Sequence, residues 1–230
     1  MIDNWHQTGV ALGTPSKKAK QRAASLEQIL DAAEIVFARR GHDGGTIQDV
    51  AKECDVHTSL IHYYFHNKEV LFESVFRRRA DVTTERRMAA LEQYERTAGE
   101  HPSVEGALRA FLDADFDLYC QGGPQWMAFA AFCARLGHTP EGATLVDEQF
   151  NPVVLKLIGI LKRALPDLSE QDVFWGFHFV TGALLHSLCN TGRLDHLSAG
   201  LCRSDDFEAI KARMANFMAA GFRALRSREM

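Results

Sequence analysis

The sequence predicts an all-α protein with a small N-terminal helix-turn-helix domain and a larger C-terminal helical domain. Apolar residues recur at helical spacing along most of the chain, and Gly- and Pro-containing segments separate the helical stretches. No alternating apolar–polar stretch of strand length occurs. With 230 residues, 46% of them hydrophobic and 24% charged, the chain has the composition of a globular protein of one or two domains.

Composition and termini exclude several classes of protein. No apolar run approaches the roughly 20 residues that a membrane-spanning helix needs. The first residues, MIDNWHQTGV, lack the basic start and apolar core of a secretion signal. The 5 cysteines are scattered and form no CxxC pair, which indicates reduced thiols. We therefore expect a cytoplasmic protein that does not span a membrane.

Residues 1–24 lack periodicity and are predicted to form a flexible arm. The net charge of the chain is −4, but the segment 16–25 contains basic residues, among them Lys17 and Lys18, and no acid. Such a run can contact the phosphate backbone or a groove of DNA. Alone, it is equally well read as a solvated tail that aids solubility.

The helices follow in order. The first is predicted to start at Ser25, with Gln28 completing a capping box, and to end at Gly41. Short helices follow at 47–53 and 57–64, separated by Cys54-Asp55-Val56, and Asn67 caps a longer helix that starts at Lys68. Further helices are predicted at 81–98, 103–120, 124–137, 143–164, 170–191 and 206–226, and Pro152 is expected to kink or split the one at 143–164.

Two short helices joined by a three-residue turn have the spacing of a helix-turn-helix motif, whose second helix enters the major groove of DNA. Three packed helices with a polar outer face are the alternative interpretation of this spacing. The predicted DNA contacts are polar or aromatic residues of the two helices and their flanks, together with the basic arm: Lys17, Lys18, Thr46, Gln48, His57, Thr58, Ser59, His62, Tyr63, Tyr64 and Lys68.

The residues of this motif resemble the DNA-binding domain of the tetracycline-repressor (TetR) family. The resemblance covers about residues 24–72 and is carried by Thr46-Ile47-Gln48-Asp49-Val50-Ala51, by Val56, and by the run from Leu60 to Leu71. The chain departs from the family pattern where Asp55 replaces the turn glycine, where His62 replaces a frequent tyrosine, and where Ser59 replaces a frequent glycine. An aspartate still tolerates the left-handed conformation that such a turn needs.

The resemblance implies a homodimeric transcriptional regulator, usually a repressor, that is not an enzyme and needs no cofactor. It implies a DNA-binding domain at 25–72 and an effector-binding and dimerisation domain at 73–230. Its DNA partner would be a palindromic operator, and a small effector would release it. Two rival classes stay open at this point: a helical enzyme acting on a hydrophobic substrate, and a lipid- or protein-binding module whose motif no longer binds DNA.

Two late helices carry more apolar surface than one core needs, and family members dimerise through their last two long helices. The predicted interface residues are Trp175, Phe179, Leu185, Phe207, Met214, Phe217 and Met218. A monomeric core is the alternative.

A stripe of aromatic residues on the central helices predicts an effector pocket without a cluster of charges, so a hydrophobic effector is expected. The predicted pocket residues are Phe111, Phe116, Trp126, Phe129, Phe132, Phe150, Phe174, Phe177 and His178. Plain core packing is the alternative. The C-terminal half also resembles regulators of fatty-acid metabolism, some of which respond to long-chain fatty acids or acyl-CoA. No metal-ligand spacing is present, and the histidines are read as hydrogen-bonded core or interface residues.

Overall fold

The computed structural model describes residues 17–136 and 140–226, and these residues form ten helices with no β-strand among them. The predicted all-α fold class is confirmed. The helices are α1 (Lys17–Gly44), α2 (Ile47–Glu53), α3 (Thr58–Phe65), α4 (Lys68–Ala98), α5 (Val104–Gln121), α6 (Pro124–Leu136), α7 (Pro140–Ala164), α8 (Glu170–Leu188), α9 (Arg193–Leu197) and α10 (Phe207–Leu225).

The prediction for the start of the first helix is wrong. The helix begins at Lys17 rather than Ser25, and the Ser25 hydroxyl donates to the Gln21 carbonyl one turn earlier, at 3.1 Å, instead of capping. Residues 17–24 of the predicted arm are therefore helical, and the rest of the arm lies outside the described residues. Gly41 does interrupt α1, because its backbone adopts φ 71° and ψ −179°.

Other helix boundaries also differ from the prediction. The helix predicted from Lys68 and the one predicted at 81–98 are one continuous helix, α4, of 31 residues. Pro152 lies inside α7 without splitting it, and a kink at this position stays a prediction. The short helix α9 was not predicted, and the helix expected to reach residue 191 ends at Leu188.

The buried side chains form two clusters, and two helices belong to both. The first cluster joins α1, α2, α3, the first turns of α4, and Phe129 and Phe132 of α6. The second joins the remainder of α4 to α5, α7, α8 and α10, and includes Ala130 and Ala134 of α6. Because α4 runs through the predicted domain boundary at 72/73, the two clusters share one continuous helix. The division into domains at that boundary stays a prediction.

An ion-pair network fastens α1 to α4 at the junction of the two clusters. Glu34 is 1% exposed, and its Oε2 accepts hydrogen bonds from Arg78 Nη2 and Arg79 Nε, each at 2.6 Å. The Arg79 guanidinium also lies 5.1 Å from the centre of the Trp126 ring on α6. Removing one partner from a buried carboxylate held by two guanidiniums is costly, so this network fixes α1 to α4.

Candidate DNA-binding surface and effector cavity

The turn between α2 and α3 is built by local side-chain chemistry. Thr46 caps α2: its hydroxyl accepts from the Asp49 N–H at 3.1 Å, and the Asp49 carboxylate accepts from the Thr46 N–H at 3.2 Å. Asp55 adopts φ 50°, which confirms the left-handed turn conformation expected of an aspartate at the glycine position. The Val56 N–H then donates to the Ala51 carbonyl at 3.0 Å and closes the turn.

Helix α3 has one buried and one exposed face. Ile61 and Phe65 are 0% and 5% exposed and anchor the helix in the first cluster. His57 caps the helix, with its Nδ1 accepting from the Ser59 N–H at 3.3 Å. Tyr63 is 63% exposed, which is unusual for a large aromatic side chain unless it serves a contact.

Most of the predicted DNA contacts are exposed to solvent, and their role in DNA binding stays a prediction. The exposed residues among them are Lys17, Lys18, Thr46, Gln48, His57, Ser59, His62 and Tyr63, whereas Thr58, Tyr64 and Lys68 are half-buried. Sequence reasoning missed how the basic start of α1 reaches α3. The Arg22 guanidinium lies 5.8 Å and 5.7 Å from the ring centres of Tyr63 and Tyr64, so α1 brings this cation beside α3.

Two of the predicted phosphate contacts already have partners within the chain. The Thr46 hydroxyl donates to the Asp49 carboxylate at 2.7 Å, and this bond, more than the nearby Arg40, lowers the pKa of Asp49. The Lys68 ammonium donates to the His42 carbonyl at 3.0 Å and ties the start of α4 to the end of α1. Changes at either residue would therefore disturb folding as well as any DNA contact.

A cavity of about 160 Å³ lies between α4, α5, α6, α7 and α8. Four of the predicted pocket residues line it: Phe111, Phe129, Phe150 and Phe177. Leu185, predicted for the dimer interface, lines the cavity as well.

The other predicted pocket residues lie away from the cavity wall. Phe116 is 0% exposed and packs among Tyr119 and Phe207 in the second cluster. Phe132 packs in the first cluster against Phe72 and Phe76. Three remain: Trp126 packs under Arg79, and Phe174 and His178 are exposed on α8.

The expectation of a pocket without charges is wrong, because a buried ion pair lines the cavity. The Arg87 guanidinium pairs with the Asp115 carboxylate, and the two side chains are 8% and 2% exposed. The same guanidinium lies 4.2 Å from the ring centre of Phe111 and 5.4 Å from that of Phe150. One sequence signal could have found it: Arg87 falls on the stripe of α4 that also contains Ala80, Thr83 and Leu91, all buried.

Burial sets the protonation of the groups around this pair. It raises the pKa of Asp115, and the neighbouring Arg87 opposes that rise. Burial likewise raises the pKa of Tyr119 and of the Cys133 thiol well above their usual values, so both groups stay neutral at pH 7. The charges on the inner wall are therefore those of Arg87 and Asp115, and they cancel.

Large apolar side chains on α8 and α10 are exposed to solvent. Trp175, Phe179 and Phe217 are 51%, 55% and 75% exposed, and the rings of Trp175 and Phe179 stack with centres 6.2 Å apart. Within the chain, α8 and α10 meet where Gly176 abuts the Phe222 ring. Among the other predicted interface residues, Met218 is half-buried, whereas Phe207 and Met214 are 5% and 8% exposed and belong to the core of the chain.

Comparison with known families gives a match to each half of the molecule. Residues 29–75 match the family described as bacterial regulatory proteins of the tetR family, and residues 109–221 match the tetracyclin repressor-like C-terminal domain. The chain belongs to the TetR family. It is therefore a DNA-binding transcriptional regulator and not an enzyme.

Relatives of this TetR-family chain include the HTH-type transcriptional regulator BetI of Escherichia coli. BetI is 28% identical over 159 residues, which cover 69% of this chain and 79% of BetI. Two solved structures share the fold at a TM-score of 0.56: a TetR-family regulator from Mesorhizobium loti (16% identity, covering 89% of this chain and 98% of that one) and FadR from Bacillus subtilis in complex with stearoyl-CoA (19% identity, covering 85% and 98%).

None of the helices in the described part of this TetR-family chain is both long and apolar enough to cross a membrane. No three His, Cys, Asp or Glu side chains come together there in a way that could hold a metal ion.

Proposed function

We propose that this regulator is a homodimeric repressor that binds a palindromic operator and is released when a small effector fills the cavity. The observation that carries the proposal is the exposed aromatic face of α8 and α10. Trp175, Phe179 and Phe217 are large apolar side chains on adjoining helices, and their exposure in a single chain is costly unless a second copy covers them. A face shared by two identical copies gives a dimer with two-fold symmetry.

A two-fold dimer presents two α3 helices to DNA. In helix-turn-helix dimers these helices reach half-sites about 34–36 Å apart, so the operator has the same two-fold symmetry as the protein. Ser59, His62 and Tyr63 of α3 are exposed and of suitable length to reach base edges. Lys17, Lys18 and Arg22 are exposed at the start of α1, and the contact of Arg22 with Tyr63 supports a role for these cations in binding phosphates next to α3.

An effector acts on such a dimer only through a difference in its affinity for two conformations. The cavity is suited to this, because it touches α4, which begins beside α3, and α8, which carries the exposed aromatic face. Filling the cavity would change the spacing of the two α3 helices and thereby lower the affinity for the operator.

A fatty acid or acyl-CoA effector is a second candidate, favoured by the crystal structure of Bacillus subtilis FadR in complex with stearoyl-CoA. The cavity volume of about 160 Å³ is close to that of an engineered cavity of about 150 Å³ that takes up benzene, and below the roughly 300–1,000 Å³ of drug-sized sites. A long acyl chain would require the cavity to widen by a movement of α7 or α8.

Selection of random duplex DNA on the purified chain, followed by anisotropy titration at two salt concentrations, tests operator binding. We expect an enriched inverted repeat whose affinity falls steeply with salt, because phosphate contacts release counterions. Replacing the exposed Tyr63 by Ala removes a contact and not a core residue, and should weaken operator binding about 10-fold with unchanged melting temperature. Equal operator affinity for the Tyr63→Ala chain would remove α3 from the proposed interface.

Sedimentation measurements test the dimer. Phe217→Asp places a charge in the proposed interface and should yield monomers. Leu155→Asp is the matched control, since Leu155 is also an exposed apolar residue, at 60%, but lies on α7. A Phe217→Asp chain that remains dimeric would contradict the assignment of the interface to α8 and α10.

A further inference from the structure

The wall of the effector cavity contains three buried polar atoms without a hydrogen-bond partner among the described residues. They are Thr83 Oγ1, Arg87 Nε and Asp115 Oδ1. The three residues are 2%, 6% and 1% exposed, and all of them line the cavity. Buried polar groups in native proteins nearly always have partners, so three orphans at one cavity indicate that a ligand or ordered water in the cavity supplies the missing bonds.

The ion pair leaves one donor, Arg87 Nε, and one acceptor, Asp115 Oδ1, for a ligand, although the Asp115 carboxylate also interacts with the Tyr119 hydroxyl of the cavity wall. Arg87 and Asp115 meet through a single contact, from Nη2 of the guanidinium to Oδ2 of the carboxylate. A side-on pair would have engaged Arg87 Nε and Asp115 Oδ1 as well. A ligand group that accepts one hydrogen bond and donates another would satisfy both atoms, and the Thr83 hydroxyl can do either.

The charges of the wall favour an uncharged ligand. Arg87 and Asp115 neutralise each other, so an ionic ligand would lose its hydration shell without gaining a free counter-charge. An anion would also approach Asp115 and Asp147, the latter at the exposed rim. A cation would find the rings of Phe111 and Phe150 already next to the Arg87 guanidinium.

The remaining wall is aromatic and aliphatic, and the volume of about 160 Å³ is that of a single ring with a small substituent. We infer that the effector is a small uncharged ring compound with an adjacent hydrogen-bond acceptor and donor, as in a primary aromatic amide, recognised by Arg87, Asp115 and Thr83. The inference rests on the proposed control by an effector and gives that effector a chemical class.

Calorimetric titration of the full chain without DNA tests the class with four probes of similar shape. Benzamide is uncharged and carries both a donor and an acceptor, benzoate is the anion, benzylamine is the cation, and toluene lacks a polar group. We expect benzamide to bind at least about 10-fold more tightly than toluene, because each buried hydrogen bond contributes about that factor. Benzoate and benzylamine should bind more weakly than benzamide.

Two variants attribute the difference to the named residues. Thr83→Val keeps the shape of the side chain and removes the hydroxyl, so benzamide affinity should fall about 3- to 10-fold while toluene affinity stays constant. Arg87→Met with Asp115→Leu replaces the pair by apolar side chains and should bring benzamide to the level of toluene. Tightest binding of benzoate, benzylamine or toluene, no binding of any probe, or benzamide binding that both variants leave unchanged would overturn the inference.

The titration uses no DNA, so its failure is distinguishable from failure of the proposed function. If the chain binds its inverted repeat but not benzamide, the proposed operator binding stands and only the proposed ligand class is refuted. If the chain binds benzamide through Arg87 and Asp115 but binds no operator, the ligand class stands and the proposed repressor function is refuted.

Discussion

The buried ion pair of Arg87 and Asp115 allows a direct test of what stabilises the helices of the second cluster. Their side chains are 8% and 2% exposed, so both charges are largely removed from bulk water. Removing one partner from such a pair costs about 3–5 kcal/mol, because the other charge stays buried without compensation. Total stabilities of about 5–15 kcal/mol are usual, so Arg87→Met should lose a large fraction of the free energy of unfolding.

The double variant Arg87→Met with Asp115→Leu should behave differently from the single one. Apolar side chains of similar volume remove both desolvation penalties, and such replacements are often neutral or stabilising by about 1–4 kcal/mol. We expect the double variant to unfold at the same urea concentration as the parent chain or a higher one. The loss of guanidinium contact with the rings of Phe111 and Phe150 offsets part of the gain.

The pH dependence of the single variant gives a second readout. Burial raises the pKa of Asp115 in the folded chain, and without Arg87 to oppose it the rise is larger. A raised folded pKa means that the native state binds the proton more tightly than the unfolded one. The Arg87→Met chain should therefore recover stability as the pH falls through the raised pKa toward the ordinary carboxyl value. Arg87→Met with Asp115→Asn, which cannot titrate there, should not.

Urea unfolding followed by circular dichroism, at one protein concentration and at several pH values, measures all four chains. The concentration must be fixed because dimerisation contributes to apparent stability. Equal destabilisation of the Arg87→Met chain and the double variant would refute the reasoning, since it would mean that the loss comes from packing and not from an unpaired buried charge.

Three other changes have defined outcomes. Gly176→Ala should lower the melting temperature, because an added Cβ would come within 2.2 Å of the Phe222 ring and force α8 from α10; an unchanged thermal scan would contradict that packing. Asp55→Gly should stabilise the chain by about 0.5–1 kcal/mol in urea unfolding, since it relieves a positive φ, and a loss of stability would show that the aspartate side chain holds the turn. Hydrogen bonds from Lys156 and Arg163 lower the pKa of Glu95, so its ion pairs stabilise the chain above that pKa. The free energy of unfolding of the Glu95→Gln chain should therefore fall less than that of the parent chain as the pH drops through the lowered pKa. An equal fall in both chains would contradict a stabilising role for these ion pairs.

The DNA-binding half could be predicted from sequence because its geometry is local. Thr46 caps the helix that follows it, Asp55 makes the turn, and Asn67 caps α4 by accepting a hydrogen bond of 2.8 Å from the Val70 N–H. Each of these interactions joins residues that are only a few positions apart in the sequence. The start of α1 was missed for an equally local reason. Its first turns are rich in Lys, Ala and Gln, which favour helix but have no apolar stripe to reveal it.

The cavity could be predicted only in part, because its polar members meet through tertiary structure. Arg87 and Asp115 are 28 positions apart in sequence, and nothing local shows that they face each other. One error was avoidable from periodicity alone. Phe111 and Phe116 are five residues apart on α5, which places them about 140° apart around the helix, so they could not both face one pocket.

The position of Phe150 explains how occupancy of the cavity can reach the DNA-binding half. Its ring lies 5.4 Å from the Arg87 guanidinium and 5.9 Å from the ring of Phe76, which belongs to the cluster that holds α1, α2 and α3. A ligand that draws Arg87 toward itself alters the packing of Phe150, and close-packed side chains cannot absorb such a shift without moving their neighbours. Because Phe76 and Arg87 lie on the same continuous helix, we expect α4 to move with them, and α4 begins where α3 ends. The proposed coupling therefore needs no contact between effector and DNA-binding helix, only two packings of one aromatic cluster that differ in their affinity for the effector.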